Sequence, residues 1–312
     1  MRLFGRSAKP GQEAETTEPA AYEPRGGSAR IAALTMARDE GAMLRRWVEH
    51  HAGLVGLEAV VVLDDHSVDG STDGLGCTVH HLPDLDGLPF ERTRMTLVSK
   101  FAEALLVVHD YVVFLDADEF LALGPDYPTL SALLATRGWP AALGPLGLNV
   151  VHLPGEPPLD LDQPLLAQRA GAVFTPLMCK PVLKRTEAAW ARASHALRAP
   201  YAVDPGLFLL HLKFADRDRL ATMAARRHDA FRTQGRARGS SWESEADDIV
   251  AALDRAVAGV NAAELPALAP ETLDLDALVT EQDGVWRPPR EGQLQALARG
   301  PVVAIPTLGS SL

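Results

Sequence analysis

Apolar positions along this chain fall into two alternating patterns. Residues 31–36, IAALTM, form an apolar run of strand length. The segment EGAMLRRWVEHHAGLVG then places Met43, Leu44, Trp47, Val48, Leu54 and Val55 at helical spacing, with Asp39 read as its cap and Gly56 as its stop. LEAVVVLDD returns to a buried-strand pattern, HSVDGSTDGLG reads as a turn-rich loop, and CTVHHL as a third short strand. In ERTRMTLVSKFAEALLVVHD, Met95, Val98, Phe101, Ala102 and Leu105 line one face of a long helix, and YVVFL is the next strand. Strands and helices alternating in this way predict an α/β fold with a mainly parallel sheet flanked by helices.

The second half is less regular. AALGPLGLNVVHL reads as a strand pair, PLMCKPVLKRTEAAWARASHALR as a small antiparallel part, and FLLHLKF as a short strand leading into a basic helix. ADDIVAALDRAVAGVNAAEL is a further helix, and the last twenty or so residues read as irregular. The expected division is a disordered tail over 1–29, a main domain over 30–240, and a helical extension with an irregular tail over 241–312.

In open parallel sheets, ligands bind beyond the carboxyl ends of the strands. Two apolar strands deliver acids there: one ends at Asp64 and Asp65, the other at Asp116 and Asp118, followed by Glu119. Clustered carboxylates need a counter-charge, and a hard divalent cation supplies it. In an extended chain Asp116 and Asp118 point the same way, with Ala117 between them pointing back.

Composition narrows the classes. The chain has 312 residues, 47% of them hydrophobic, and a formal net charge of -11, which argues against non-specific nucleic-acid binding. Cys77 and Cys179 lie apart in apolar contexts and read as reduced thiols. The N-terminus has no leader-like apolar stretch, and no run approaches the roughly 18 apolar residues of a membrane span, so a cytoplasmic protein is expected. The loop starting at Asp65 matches a calcium loop only at Asp65, Asp69 and Gly70 and has Gly76 where a bidentate Glu is needed, so that reading is rejected. Phosphate-loop, dinucleotide, HExxH and GxSxG motifs are absent. His50 and His51 read as one packed and one solvated histidine of an amphipathic helix.

LTMARDEGAMLRRWVEHHAGLVGLEAVVVLDDHSVDGSTDGL, followed roughly 50 residues on by VVFLDADEFL, resembles the family 2 type glycosyltransferases with the GT-A fold, which is Rossmann-related. It is closest to the subgroup whose first helix carries an E-W-x-x-H-H-like segment. The resemblance covers residues 31–121 and reaches Arg238 more weakly. It implies a nucleotide-sugar donor, a saccharide or lipid-linked acceptor, Mn²⁺ or Mg²⁺ as cofactor, and inverting transfer. Asp64 would contact the base, with Asp65 beside it. Asp116 and Asp118 match the D-x-D motif, the first serving ribose and metal, the second the metal.

Farther along, LLHLKFADRDRL resembles a segment of the same family in which a His follows the last sheet strand. His211 is then a third metal ligand or a diphosphate donor, and Lys213, two residues on, neutralises phosphate. His195, with Lys180 and Lys184 upstream, falls on the acceptor side. The acidic pair that supplies the base in many inverting members is missing after Gly144, which leaves Glu156 and Asp160 as candidates. The basic run over 213–238 reads either as a solvated helix face or as a patch for the diphosphate, a charged acceptor or a membrane surface at which the protein sits peripherally. A non-catalytic nucleotide-sugar or metal-binding module is the alternative; a nucleotidyltransferase is disfavoured because TMARDEG lacks a glycine-rich basic loop.

Overall fold

The computed structural model describes residues 22–85, 87–234, 244–290, 292–309 and 312. In chain order the elements are β1 (Ile31–Ala37), α1 (Ala42–Val55), β2 (Val60–Asp64), β3 (Thr78–His81), α2 (Phe90–Leu105), β4 (Tyr111–Phe114), β5 (Glu119–Leu123), α3 (Leu130–Thr136) and β6 (Ala142–Val151). There follow β7 (Gly171–Phe174), β8 (Leu183–Lys184), β9 (Trp190–Ala191), β10 (Ala196–Leu197), β11 (Ala202–Phe214), α4 (Arg217–Gln234), α5 (Ala246–Val257), β12 (Thr280–Gln282), β13 (Val285–Arg287), α6 (Gln293–Arg299) and β14 (Val302–Ala304).

Strands β3, β2, β1 and β4 pair in parallel, in that order, with α1 packed on β1 and β2 and α2 on β1 and β4. Every residue of β1, β2 and β4 is buried, which is why they read as unbroken apolar runs. Beyond β4 the sheet continues through β8, β6, β7 and β14, while β11 pairs with β6 in parallel and with β5 in antiparallel fashion. A separate antiparallel sheet runs β12-β13-β10-β9. The main core holds Trp47, Tyr111, Phe114 and Phe120; a second cluster joins Phe214, Leu220, Ile249, Leu253 and Leu297 where α4, α5 and α6 meet the sheet. Among the described residues no helix is long and apolar enough to cross a membrane. Both cysteines are free thiols.

Several local readings change. Residues 142–151 form one strand, not a pair, and β5 and α3 carried no recognised pattern. The C-terminal part is not only helical: β12 and β13 extend the small sheet and β14 joins the main one. The boundary expected at 240 and most of the tail over 1–29 lie outside the described residues. Asp39 does not cap α1; Gly41 holds that place, and Asp69 accepts its N–H from across the loop at 3.0 Å. The Asp39 carboxylate instead accepts from Val68 N–H at 2.7 Å.

The adjacent histidines are both engaged, His51 fully buried and His50 partly so. Strand β5 pairs only with β11, so the outward N–H and C=O of Leu121 need other partners. His50 Nε2 donates to Leu121 O at 2.6 Å, and His51 Nε2 accepts from Leu121 N–H at 3.4 Å while its Nδ1 donates to Trp47 O at 2.8 Å. Burial lowers both imidazoles, His50 to about 4, so both stay neutral and α1 is fastened to the strand that begins at Glu119. Gly147 serves a comparable end on β6. A Cβ there would lie 2.3 Å from that of Met178, so only glycine lets residues 176–180 press against the strand.

Candidate functional site

The carboxyl ends of β1, β2 and β4 open into a cavity of about 980 Å³. The β1 end contributes Arg38, Asp39 and Glu40; the β2 end, Asp65; the β4–β5 turn, Asp116 to Glu119. His211 and Lys213 enter from β11, Arg226 and Arg227 from α4, Arg192, Ala193 and His195 from the β9–β10 hairpin, and Arg287 with Gln293 and Gln295 from the C-terminal part.

The acidic turn is built by its own side chains. Glu119 N–H donates to Asp116 O at 3.0 Å, and the Glu119 carboxylate accepts the Asp116 N–H at 3.0 Å, closing the turn from both sides. Glu119 is buried and paired at 2.7 Å with Lys180 Nζ, which also donates to Ser194 Oγ at 2.9 Å. Burial raises the Glu119 carboxyl, and Lys180 opposes the rise. The Asp116 carboxylate is paired with Arg94 of α2; burial would raise it, but Arg94 and then Lys180 hold it below the ordinary carboxylate range. Asp116 thus carries a guanidinium as its counter-charge, while both it and Asp118 line the cavity.

Asp118 faces His211 instead, Oδ2 to Nε2 at 3.4 Å. A relay of hydrogen bonds orients the ring. Thr175 Oγ1 donates to Val173 O at 3.1 Å, so it accepts from Asn149 Nδ2 at 2.8 Å. Asn149 Oδ1 then faces His211 Nδ1 at 2.7 Å and accepts its proton. His211 Nε2 is left facing Asp118. Burial acts to raise Asp118, but His211, Arg227 and Lys213 hold it far below the carboxylate range. Buried Lys213 is lowered to about 7, chiefly by desolvation, with Asp118 acting against it.

Other expected residues divide. Asp64 does not line the cavity; its oxygens accept from Ser67 N–H at 2.9 Å and His81 Nδ1 at 2.8 Å, holding the loop after β2. The next residue, Asp65, does line it. Lys180 and Lys184 are buried and do not line the cavity: Lys184 Nζ donates to Ala188 O at 2.6 Å and sits 4.1 Å from the Trp190 ring centre. Glu156 and Asp160 lie away from the cavity. Glu156 accepts Leu153 N–H at 2.8 Å and Ala170 N–H at 3.1 Å, and Asp160 accepts Asp162 N–H at 2.9 Å, as the β6–β7 loop requires.

His195 does reach the cavity. Its Nδ1 donates to Leu177 O at 2.9 Å, and burial together with Lys180 lowers it to about 3, leaving a neutral ring with its Nε2 lone pair available. It is held by a strained turn in which Arg192, Ala193 and Ser194 all have positive φ (52°, 54° and 68°). Each such non-glycine residue costs on the order of 1–3 kcal/mol, strain of a kind that concentrates at functional sites. In the basic run, Arg226 donates to Asp39 O at 2.9 Å and Arg227 pairs with Glu40 at 2.7 Å, so α4 covers the β1–α1 loop, while exposed Arg217 pairs with Asp254. Arg236 and Arg238 lie outside the described residues.

Arg94, Asn149, Glu40, Arg192 and Arg287 were not singled out from the sequence. Arg94 left a trace: it is a cation bordering the apolar stripe of α2, next to Met95 and four residues before Val98. Asn149 left a similar one, as a lone amide in an all-buried strand.

Among the described residues no group of three or more His, Cys, Asp or Glu is arranged to hold a metal. Asp118 and His211 form a two-ligand set, one hard oxygen and one imidazole nitrogen oriented from behind by Asn149. Such a pair fits Mn²⁺ or Mg²⁺ arriving with substrate phosphates, and not a closed protein cage.

No family model matches the sequence, and no curated protein matches it. Solved structures overlap it in part. A residue 1–349 piece of TarS from S. aureus shares 16% identity over 48% of this chain and 42% of its own, with a TM-score of 0.26. The longer S. aureus TarS structure shares 16% identity over 47% of this chain and 25% of its own, TM-score 0.25. The mannosyltransferase PcManGT from Pyrobaculum calidifontis, in complex with GDP-Man and Mn²⁺, shares 14% identity over 44% of this chain and 39% of its own, TM-score 0.26. This chain thus spans less than half the length of each. Overlaps this loose do not decide function, which has to be argued from the site.

Proposed function

We propose that this chain is a GT-A-type glycosyltransferase, moving a sugar from a nucleoside diphosphate sugar to a hydroxyl of a saccharide or lipid-linked acceptor with the help of Mn²⁺ or Mg²⁺. One observation carries the reading. The Asp118 carboxylate and His211 Nε2 face each other at 3.4 Å at the carboxyl edge of a parallel sheet. A carboxylate oxygen and an imidazole nitrogen so placed can share one cation through ligand bonds of about 2.1 Å. When bound, that ion would draw off the negative charge that develops on the departing diphosphate.

The remaining roles fall to the chain's own groups. Lys213 and Arg227 face the cavity beside Asp118, Arg226 lines it as well, and these cations would neutralise phosphate oxygens. Asp65 takes the nucleoside, while Asp64 shapes the loop beside it. Asp116 is held by Arg94 at the turn and keeps Asp118 in register. The inverting course implied by the sequence resemblance needs a partner for the acceptor hydroxyl, and neutral His195 offers its Nε2 lone pair.

The test is a thermal-shift screen of nucleoside diphosphate sugars with Mn²⁺, followed by assay of released nucleoside diphosphate. A stabilising donor that is turned over by the native chain but not by Asp118→Asn supports the reading. Stabilisation without release identifies a binding module, and equal release in EDTA refutes the metal role.

A further inference from the structure

Three arginines gather on the small-sheet side of the cavity. Arg192 stands in the positive-φ turn between β9 and β10, and Arg287 ends β13. Antiparallel pairing of Leu197 with Trp286 directs Arg287 toward that turn, and Arg290 follows three residues on. Arg192 and Arg287 both line the cavity, beside His195.

Their electrostatic setting differs from that of every other cationic group of the cavity wall. Arg38 faces Asp65, Arg94 pairs with Asp116 and Glu91, Arg227 with Glu40, and Lys213 lies beside Asp118. Arg226 binds the Asp39 carbonyl and acts on the Glu40 carboxylate. Among the described residues no carboxylate pairs with Arg192, Arg287 or Arg290. Arg287 donates to Pro288 O at 3.3 Å and Arg290 to Gln282 Oε1 at 3.1 Å. Half-buried Arg287 is lowered by desolvation and then by Arg290 and Arg192, so the three guanidinium groups act on one another. Arg94, Lys180, His195, His211, Lys213 and Arg227 are among the charges that act most on Asp116 and Asp118. Like charges drawn together at a cavity wall, one of them on a strained turn, are balanced only when an anion arrives. Guanidinium groups meet phosphate through paired, charge-assisted hydrogen bonds.

We propose that Arg192 and Arg287, backed by Arg290, form a phosphate-binding subsite separate from the donor site, and that the sugar acceptor carries a phosphate group there. This rests on the glycosyltransferase reading and names the acceptor class: a phosphorylated sugar or polyol, or a phospholipid headgroup.

Calorimetry on the full chain tests it, with glycerol 3-phosphate as probe and glycerol as its uncharged control. Vesicles of phosphatidylglycerol against phosphatidylcholine tell a lipid source from a soluble one. The native chain, Arg192→Gln, Arg287→Gln and the double variant are compared, and binding of UDP and GDP with Mn²⁺ is measured on the same preparations. The expected result is that the native chain binds the phosphate-bearing probe and not glycerol. Each single variant loses about 10-fold or more in affinity, the range for one charge-assisted contact, while nucleotide binding is unchanged. Native protein that binds nucleotide but no phosphate probe overturns the subsite alone. Loss of nucleotide binding in the variants shows that the arginines serve the donor and also overturns it. Native protein that binds neither nucleotide nor Mn²⁺ overturns the underlying reading and the acceptor assignment with it.

Discussion

Replacing Lys180 by Met should damage this protein more than any cavity-facing substitution. The Lys180 and Glu119 side chains are buried and 2.7 Å apart. Removing the cation leaves Glu119 charged in a place that water does not reach, a loss of about 3–5 kcal/mol for a broken buried pair. For a chain of this size that is a fall in melting temperature of roughly 10 °C. Ser194 Oγ loses its donor too, so the strained turn carrying His195 loosens. Burial already raises the Glu119 carboxyl, and without Lys180 it rises further. The deficit should therefore shrink as pH falls, because a protonated Glu119 needs no counter-charge. Adding Glu119→Gln to Lys180→Met should recover more than half of the loss, since an amide oxygen can still accept the Asp116 N–H. Urea unfolding of the native chain, both single variants and the double variant gives the coupling energy. A single variant within about 1 kcal/mol of native, or strictly additive losses, would refute the reasoning.

Two further outcomes follow from the framework. His50 is held near 4 against an ordinary 6.5, so its contribution to stability is whole above pH 6.5 and is lost as pH falls toward 4. That loss amounts to about 3 kcal/mol, deepened by His51, and a His50→Gln variant should show a flatter pH profile in thermal melts between those limits; an unchanged profile would remove the histidine clamp. Gly147→Ala should destabilise by about 1–3 kcal/mol, because its methyl group meets Met178 at 2.3 Å and pushes the segment leading to Lys180; equal urea midpoints would show that the segment can move aside.

The parallel block was legible because β1, β2 and β4 are buried on both faces and flanked by amphipathic helices, so periodicity alone marked them. The same rule placed Asp65, Asp116 and Asp118 at one edge. What it could not give was the partner of each carboxylate. Arg94 reaches Asp116 from a helix that begins 26 residues before it, and Lys180 reaches Glu119 from a segment 61 residues beyond, contacts set by packing and not by local pattern. The strand position of Asp64 was legible, but not that its side chain turns back to Ser67 and His81. Strand β5 was hidden because its outer edge is satisfied by histidines, which no strand pattern announces. Arg192 and Arg287 stayed out of view because a turn and a distant C-terminal strand bring them together.

The most direct measurement of the central claim is Mn²⁺ binding to the full chain, by calorimetry, with and without UDP or GDP, for the native protein, Asp118→Asn and His211→Ala. With two protein ligands, Mn²⁺ alone should bind weakly and bind tighter once a nucleoside diphosphate is present, and by linkage the nucleotide should gain the same factor from the ion. Both variants should remain folded and lose that mutual enhancement, with affinity for the nucleotide in Mn²⁺ falling by about 10- to 100-fold. Nucleotide binding that is as tight in EDTA as in Mn²⁺, or Asp118→Asn retaining the full enhancement, would contradict the account.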